Sequence, residues 1–386
     1  MGALRLSTAG ESHGAALVAL LEGVPSGLPL DAAWIDARLA LRQRGYGRGG
    51  RMRIEQDHVE IVAGVRAGRT TGAPLALVVR NRDATLEKLP PVTRPRPGHA
   101  DLPGMLKHGI DDARDVLERA SARETAARVA AGAVAERLLD EFGVQVVGFV
   151  RELGPVSAGD VPDDMGELLR RRDASDFLCP DPAVAAAMRG EVDAAHDAGD
   201  TVGGIVEVRA RGLVAGLGGY ASAGDRLDGR LAAALCRVQA VKGVEIGLGF
   251  EAARRRGSAV HDEIVAAPGG GTRRTRNNAG GIEGGMTTGE DVVVRAAMKP
   301  ISTLRRALRS VDVRTGESVE AAWERSDTCA VPALAVIAQA VVALELASAL
   351  LEKTGGDALP EVCRNLDGYR RAASELLARV RHPDEP

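Results

Sequence analysis

From Val331 to Leu351 the chain runs twenty-one residues whose polar interruptions are Gln339, Glu345 and Ser348. A helix so apolar on every side must be wrapped either in protein or in lipid. Those three side chains, and a proline at Pro332 suited to a first helical turn, favour a buried core helix over a membrane span. The remainder can supply the wrapping, because 45% of the 386 residues are hydrophobic, far above the range of disordered chains. Length alone allows two or three domains or one large one. Without an internal repeat or a convincing linker, residues 1–386 read as a single catalytic domain, turning polar and loose after about Thr354.

Charge and composition exclude several functions. A net charge of -3 offers no general attraction to nucleic acid or a membrane surface. Nine aromatic residues are too few for base-stacking platforms. Four scattered cysteines, with no CxxC pair, exclude a Cys-rich zinc site. Glu11 and His13 interrupt the first apolar stretch, so no signal-peptide layout is present and a cytoplasmic location is expected.

Periodicity predicts strands at 4–9, 52–62, 74–79, 144–150, 203–211, 243–249 and 292–298, and 15–21 is an apolar run after a Gly-flanked turn. Helices are expected at 31–41, 225–238 and 331–351, with a long one from about Ala122 to Glu141 that Gly143 ends. Pro90 to Pro97 is a stiff loop. The stretch from Ala266 to Gly289 holds eight glycines, three arginines and two asparagines. It is either a linker or a loop that closes on a ligand, and composition leans toward the linker.

Two motif matches fail on context. Gly10-Glu11-Ser12-His13-Gly14 fits a nucleophile elbow, yet only nine residues precede it, too few for the strand–helix units an elbow needs. Gly45-Tyr46-Gly47-Arg48-Gly49-Gly50 fits a dinucleotide fingerprint but follows a helix and opens a strand. The cations carry more weight. Arg38, Arg42, Arg44, Arg48, Arg51 and Arg53 occupy sixteen residues without an acid among them. Interleaved glycines let backbone N–H groups approach, and guanidiniums grip phosphate or carboxylate bidentately. Small-anion binding is the better reading. A second group contains Arg94, Arg96, His99, Asp101 and Lys107, followed by Arg114, Arg119, Ser121 and Arg123. His99 in a proline-stiffened loop and His13 in a Gly-flanked turn suggest acid–base chemistry on a phosphorylated anion. Only five of the 50 cations are lysines, Lys88, Lys107, Lys242, Lys299 and Lys353, and each stands out mildly as a site wanting a compact ammonium.

The order of Thr8-Ala9-Gly10-Glu11-Ser12-His13-Gly14, Glu22-Gly23-Val24-Pro25-Ser26-Gly27, Arg42-Gln43-Arg44-Gly45-Tyr46-Gly47-Arg48-Gly49, Arg94-Pro95-Arg96-Pro97-Gly98-His99-Ala100-Asp101, Ala122-Arg123-Glu124-Thr125, Val241-Lys242-Gly243-Val244-Glu245, Asn278-Ala279-Gly280-Gly281-Ile282, Lys299-Pro300-Ile301-Ser302-Thr303 and Arg325-Ser326-Asp327 resembles the chorismate synthase family, from Leu6 to about Leu351. The resemblance implies an α+β fold, a β-α-β sandwich of antiparallel sheets packed around helices, assembled as a homotetramer. It implies an anti-1,4-elimination of phosphate from 5-enolpyruvylshikimate 3-phosphate to give chorismate, the last common step of aromatic amino acid biosynthesis. Reduced FMN is needed without net redox change, lending an electron as the C–O bond breaks.

By the same resemblance Arg42, Arg48, Arg51, Arg96 and Arg123 hold the substrate's anions. His13 protonates the departing phosphate, His99 sits by the reduced flavin's pyrimidine edge, and Asp327 faces N5. Arg119, Ala120, Ser121, Gln239, Ala240, Gly284, Lys299, Pro300, Ile301, Ser302, Thr303 and Arg325 hold the flavin, with the Gly-rich stretch as a loop ordered on binding. With neither a reductase domain nor a nicotinamide (NADP) site visible, reduced FMN comes from an external flavin reductase or another source. The chain departs from the family pattern at Ala120, where serine is usual, and at His108, where tyrosine is usual.

Overall fold

The computed structural model describes residues 4–49, 55–267, 271–324, 327–378 and 380. Strand β1 (Arg5–Ala9) pairs with β2 (Ala16–Glu22), which buries Leu17, Ala19 and Leu21 in the alternation of a half-exposed sheet. Helix α1 (Ala32–Gln43) starts where the Asp31 carboxylate accepts the Trp34 N–H at 2.9 Å. Strands β3 (Val59–Ala63) and β4 (Leu75–Arg80) complete an antiparallel sheet ordered β1-β2-β4-β3. Helices α2 (Asp101–His108), α3 (Arg114–Ala120) and α4 (Thr125–Asp140) follow.

A second antiparallel sheet is assembled from β5 (Gln145–Leu153), β6 (Val156–Ser157), β7 (Gly204–Arg211), β8 (Val241–Ile246) and β9 (Val292–Met298), in the order β8-β9-β7-β5-β6. Helix α5 (Leu227–Cys236) leads into β8. The chain closes with α6 (Val331–Thr354) and α7 (Leu359–Leu377).

Between the sheets lie two helices. The first sheet's β2 and β4 pack on α4, the second sheet's β5 and β7 pack on α6, and α4 packs on α6. This is the expected sandwich of antiparallel sheets around helices. The contacts are close because small residues line them. A Cβ on Gly132 of α4 would sit 2.4 Å from that of Ala340, and one on Gly148 of β5 would sit 2.1 Å from the Ala335 carbonyl oxygen. Although α6 is long and apolar enough to cross a membrane, its most apolar window is 89% buried in the fold.

Several expectations need correction. The long helix expected from Ala122 begins at Thr125. Before it α3 stops at Ala120, and Ser121 is extended (φ −62°, ψ 141°), its hydroxyl accepting the Arg123 N–H. The expected strand 52–62 narrows to Val59–Ala63, part of it lying outside the described residues. The Gly-rich stretch is no linker. It forms two short hairpins, Ile264–Ala266 with Thr272–Arg274 and Ile282–Glu283 with Met286–Thr287, and Asn277 pins it through its amide to the Asp291 carbonyl. The segment after Thr354 is not a loose tail up to Leu377. Leu359, Val362 and Leu366 form the buried stripe of the amphipathic α7.

Candidate active site

The turn between β1 and β2 carries His13, and α3 holds that turn from behind. The Ser12 N–H donates to the Glu118 carbonyl at 3.1 Å, and the His13 N–H donates to Glu118 Oε2 at 2.7 Å. His13 Nδ1 lies 2.9 and 3.1 Å from the two Glu118 oxygens. Burial pushes the Glu118 carboxyl up, but hydrogen bonds from His13 and Arg114 outweigh it and hold the group below the ordinary range. One residue on, Arg119 donates to the carbonyls of Thr8 and Gly10 at 2.8 and 3.0 Å, while the Ser121 hydroxyl meets that of Ser12 at 3.2 Å.

Next to this turn, guanidiniums and carboxylates from distant segments converge. Arg42, at the end of α1, donates to Thr125 Oγ1 and the Ala122 carbonyl, and its Nη1 stands 3.5 Å from Asp57 Oδ2. Arg123 donates to both Asp57 oxygens at 2.7 and 2.8 Å and to Asn81 Oδ1 at 2.9 Å. Arg48 Nε is 3.0 Å from Asp327 Oδ2, and the Gly49 N–H donates to Asp327 Oδ1 at 2.6 Å. Burial pushes the Arg42 guanidinium down to about 9, with Asp57 opposing and Arg123 and Arg48 adding to the fall. Among the described residues, the buried atoms Arg42 Nη1 and Arg123 Nη2 make no hydrogen bond. Buried donors of this kind are costly unless an acceptor arrives, and an anion supplies both acceptors and charge.

The second constellation surrounds His99. Asp101, fully buried at the start of α2, accepts from His99 Nδ1, from Arg96 Nε at 2.8 Å and from the Arg96 N–H at 3.0 Å. Burial raises the Asp101 carboxyl, and the bonds from His99 and Arg96 override it, leaving it far below the carboxylate range. With the Nδ1 proton given to Asp101, the 3.0 Å approach of Arg96 Nη2 to that nitrogen is a contact rather than a hydrogen bond. Arg96 Nη1 donates to Thr303 Oγ1 at 2.9 Å. Lys299 donates to the Gly98 carbonyl and its N–H to the Ala240 carbonyl. Burial and the neighbouring Lys242 both lower the Lys299 ammonium. An ammonium whose charge is disfavoured in this way suits an anionic guest. Helix α3, which bears Glu118, packs on α2, which starts at Asp101, and its Arg114 pairs with Glu118 and Glu324 and donates to the Pro90 carbonyl.

The chorismate synthase family model matches residues 4–351. The chain belongs to the chorismate synthase family. It is 55% identical to the chorismate synthase of Desulforudis audaxviator, covering 97% of this chain and 98% of that one. It is also 55% identical to the chorismate synthase of Symbiobacterium thermophilum, over 95% and 98%. A solved structure described as a crystal structure of chorismate synthase superposes with a TM-score of 0.80 at 41% identity, covering 97% and 99% of the two chains. The activity is that of a lyase, the elimination of phosphate from 5-enolpyruvylshikimate 3-phosphate that yields chorismate, and the family uses flavin.

Against this background the residues selected from sequence divide clearly. Arg42, Arg48, Arg123 and Asp327 are brought together, and so are Arg96, His99, Lys299 and Thr303. Gln239 donates to Glu124 at 3.1 Å, leaving its buried Oε1 without a hydrogen-bond partner among the described residues. Gly284 occupies a positive-φ hairpin turn with open space around it. Arg38 and Arg44 turn away, toward Glu136 and the Asp173 carbonyl. Arg51 and Arg325 lie outside the described residues. His108 is exposed in the last turn of α2. Sequence reasoning passed over Asp57, Asn81 and Glu118, acids and an amide with no motif spacing of their own. It noted Lys242 only as a rare lysine. A cavity of about 410 Å³ is lined by Arg38 and Arg44 of the first arginine group, and neither it nor a second of about 310 Å³ includes a residue expected to hold substrate or flavin.

Proposed function

We propose that the two constellations form one site in which reduced FMN and 5-enolpyruvylshikimate 3-phosphate lie together and phosphate is expelled. The observation that carries this reading is the buried guanidinium pair, Arg42 and Arg123, each with a terminal nitrogen free of any hydrogen bond among the described residues. A substrate with two carboxylates and a phosphate supplies the acceptors those nitrogens need. Arg42, Arg48, Arg51, Arg96 and Arg123 orient it. The residues toward the flavin fit a guest that is anionic and also bears a donor: Lys299 and Lys242 repel one another, and Gln239 Oε1, without a hydrogen-bond partner among the described residues, calls for an N–H or O–H.

When bound, reduced FMN supplies the transient electron density that lets the C–O bond break without net redox change. The chain's own groups handle protons and position. Glu118 holds His13 through Nδ1, so Nε2 delivers a proton to the leaving phosphate oxygen. Asp101 holds His99 in the same way, directing its Nε2 toward the flavin's pyrimidine edge. Asp327, fixed by Arg48 and the Gly49 N–H, would face the flavin when it is bound and help manage its proton. Arg119 to Ser121, Gln239, Ala240, Gly284, Lys299 to Thr303 and Arg325 line the flavin. The enzyme works in the cytoplasm as a homotetramer and receives reduced FMN from an external reductase. Under anaerobic conditions with reduced FMN, chorismate absorbance and one phosphate per chorismate are expected; binding of substrate without turnover would mark an anion carrier instead.

A further inference from the structure

From the wall behind His13 we infer that Glu118 is a positioning residue for the elimination, fixing the tautomer of His13 so that Nε2 is the nitrogen presented to the phosphate. The inference rests on the proposed role of His13 and deepens it. Glu118 is 1% exposed, and a carboxylate so buried is expensive unless its lone pairs are filled. Both oxygens are filled, since Oε2 accepts the His13 N–H at 2.7 Å, Nδ1 reaches the pair at 2.9 and 3.1 Å, and Arg114 Nη1 donates to Oε1 at 3.3 Å. Its carbonyl also holds the Ser12 N–H. Main chain and ring of His13 are therefore anchored to a single side chain and cannot turn independently.

Electrostatics assign the proton. Despite burial, the bonds from His13 and Arg114 keep Glu118 ionised, so it acts only as an acceptor and Nδ1 must carry hydrogen. Arg114 Nη1, 3.3 Å from Oε1, restrains the carboxylate from its far side. Arg114 in turn donates to Glu324 at 3.1 Å, three residues before Asp327, tying the wall to the segment that bears the other proton-handling group. A carboxylate behind an imidazole fixes the tautomer and stabilises the charged ring as its proton balance changes. Only the cationic ring, with hydrogen on both nitrogens, is an acid at Nε2; Glu118 holds Nδ1–H throughout, so Nε2–H is the proton given and the ring is left as the Nδ1–H tautomer.

A double-mutant cycle on the full-length enzyme with reduced FMN tests this. Glu118→Gln keeps the shape but can present an N–H to Nδ1, favouring the wrong tautomer. We expect its kcat to fall about tenfold or more while KM for 5-enolpyruvylshikimate 3-phosphate stays within about twofold. His13→Ala with Glu118→Gln should be no slower than His13→Ala alone, because Glu118 acts through the ring. A Glu118→Gln enzyme at wild-type kcat, or a loss that multiplies with that of His13→Ala, overturns the inference and leaves the role of His13 standing. If His13→Ala itself runs at the wild-type rate, the proposed role of His13 falls and the inference with it. Should Glu118→Gln not fold, nitrogen-15 NMR of the histidine-labelled wild-type enzyme decides, with His13→Gln used for assignment. Hydrogen on Nδ1 is expected, and a neutral ring protonated at Nε2 alone overturns the proposal.

Discussion

At the scale of single residues the account turns on groups buried with their charges. General acid–base assistance typically contributes about 10²–10⁴ in rate, some 3–5 kcal/mol of barrier. His13→Ala and His99→Ala are therefore expected to stay folded and to slow turnover at least about tenfold each, measured anaerobically as chorismate appearance. Acid stability follows from the carboxylates. Asp101 and Glu118 sit below their unfolded values in the folded protein, so each adds stability that is present above about pH 4 and lost as pH falls through the depressed folded value. The thermal midpoint should drop steeply below about pH 4. In Asp101→Asn that dependence should be shallower, from a lower starting point at neutral pH. The sequence displayed the two histidines, because each sits in a turn marked by glycine or proline. It did not display which arginines face inward. Arg38 and Arg42 are one helical turn apart on α1, yet one pairs with Glu136 and stacks over Trp34 while the other enters the site. That choice depends on Asp57, Thr125 and Ala122, which only the folded chain brings near.

At the scale of elements, close helix packing is the constraint most open to test. Gly132→Ala gains up to about 1 kcal/mol of helix propensity but drives a methyl to 2.4 Å from the Ala340 Cβ. Overpacking of this kind costs about 1–3 kcal/mol or more, so a net loss is expected in the urea midpoint. Gly368→Ala in α7 meets nothing within 4 Å and should instead be neutral or stabilising. The elements with a clean period were readable: the strands β4, β7 and β9, and the uniformly apolar α6. What misled was continuity of composition. The alanine-rich run from Ala122 concealed that the regular helix starts only at Thr125, after a tight turn over Ala122–Glu124 that the Ser121 hydroxyl caps by accepting the Arg123 N–H. In α7 the polar majority hid the spacing of Leu359, Val362 and Leu366.

For the whole molecule, the sandwich brings together loops from both sheets and both ends of α3, so the site depends on every layer being in register. A homotetramer of the 40.2 kDa chain is expected by sedimentation equilibrium. Purified protein given NADPH and oxidised FMN alone should show no robust turnover, and adding a flavin reductase should restore it. The sandwich architecture and the assembly were carried by family resemblance, since periodicity names elements but not their partners. The central claim is that buried guanidiniums meet the substrate's anions beside the flavin, and a crystal structure with FMN and 5-enolpyruvylshikimate 3-phosphate tests it most directly. Arg42 Nη1 and Arg123 Nη2 should each lie within hydrogen-bond distance of a substrate anion, with His13 Nε2 facing the phosphate. Substrate seated instead in the cavity of Arg38, Arg44 and Arg172, with those two nitrogens still facing only Asp57 and Glu55 at 3.5 and 3.7 Å, would contradict it.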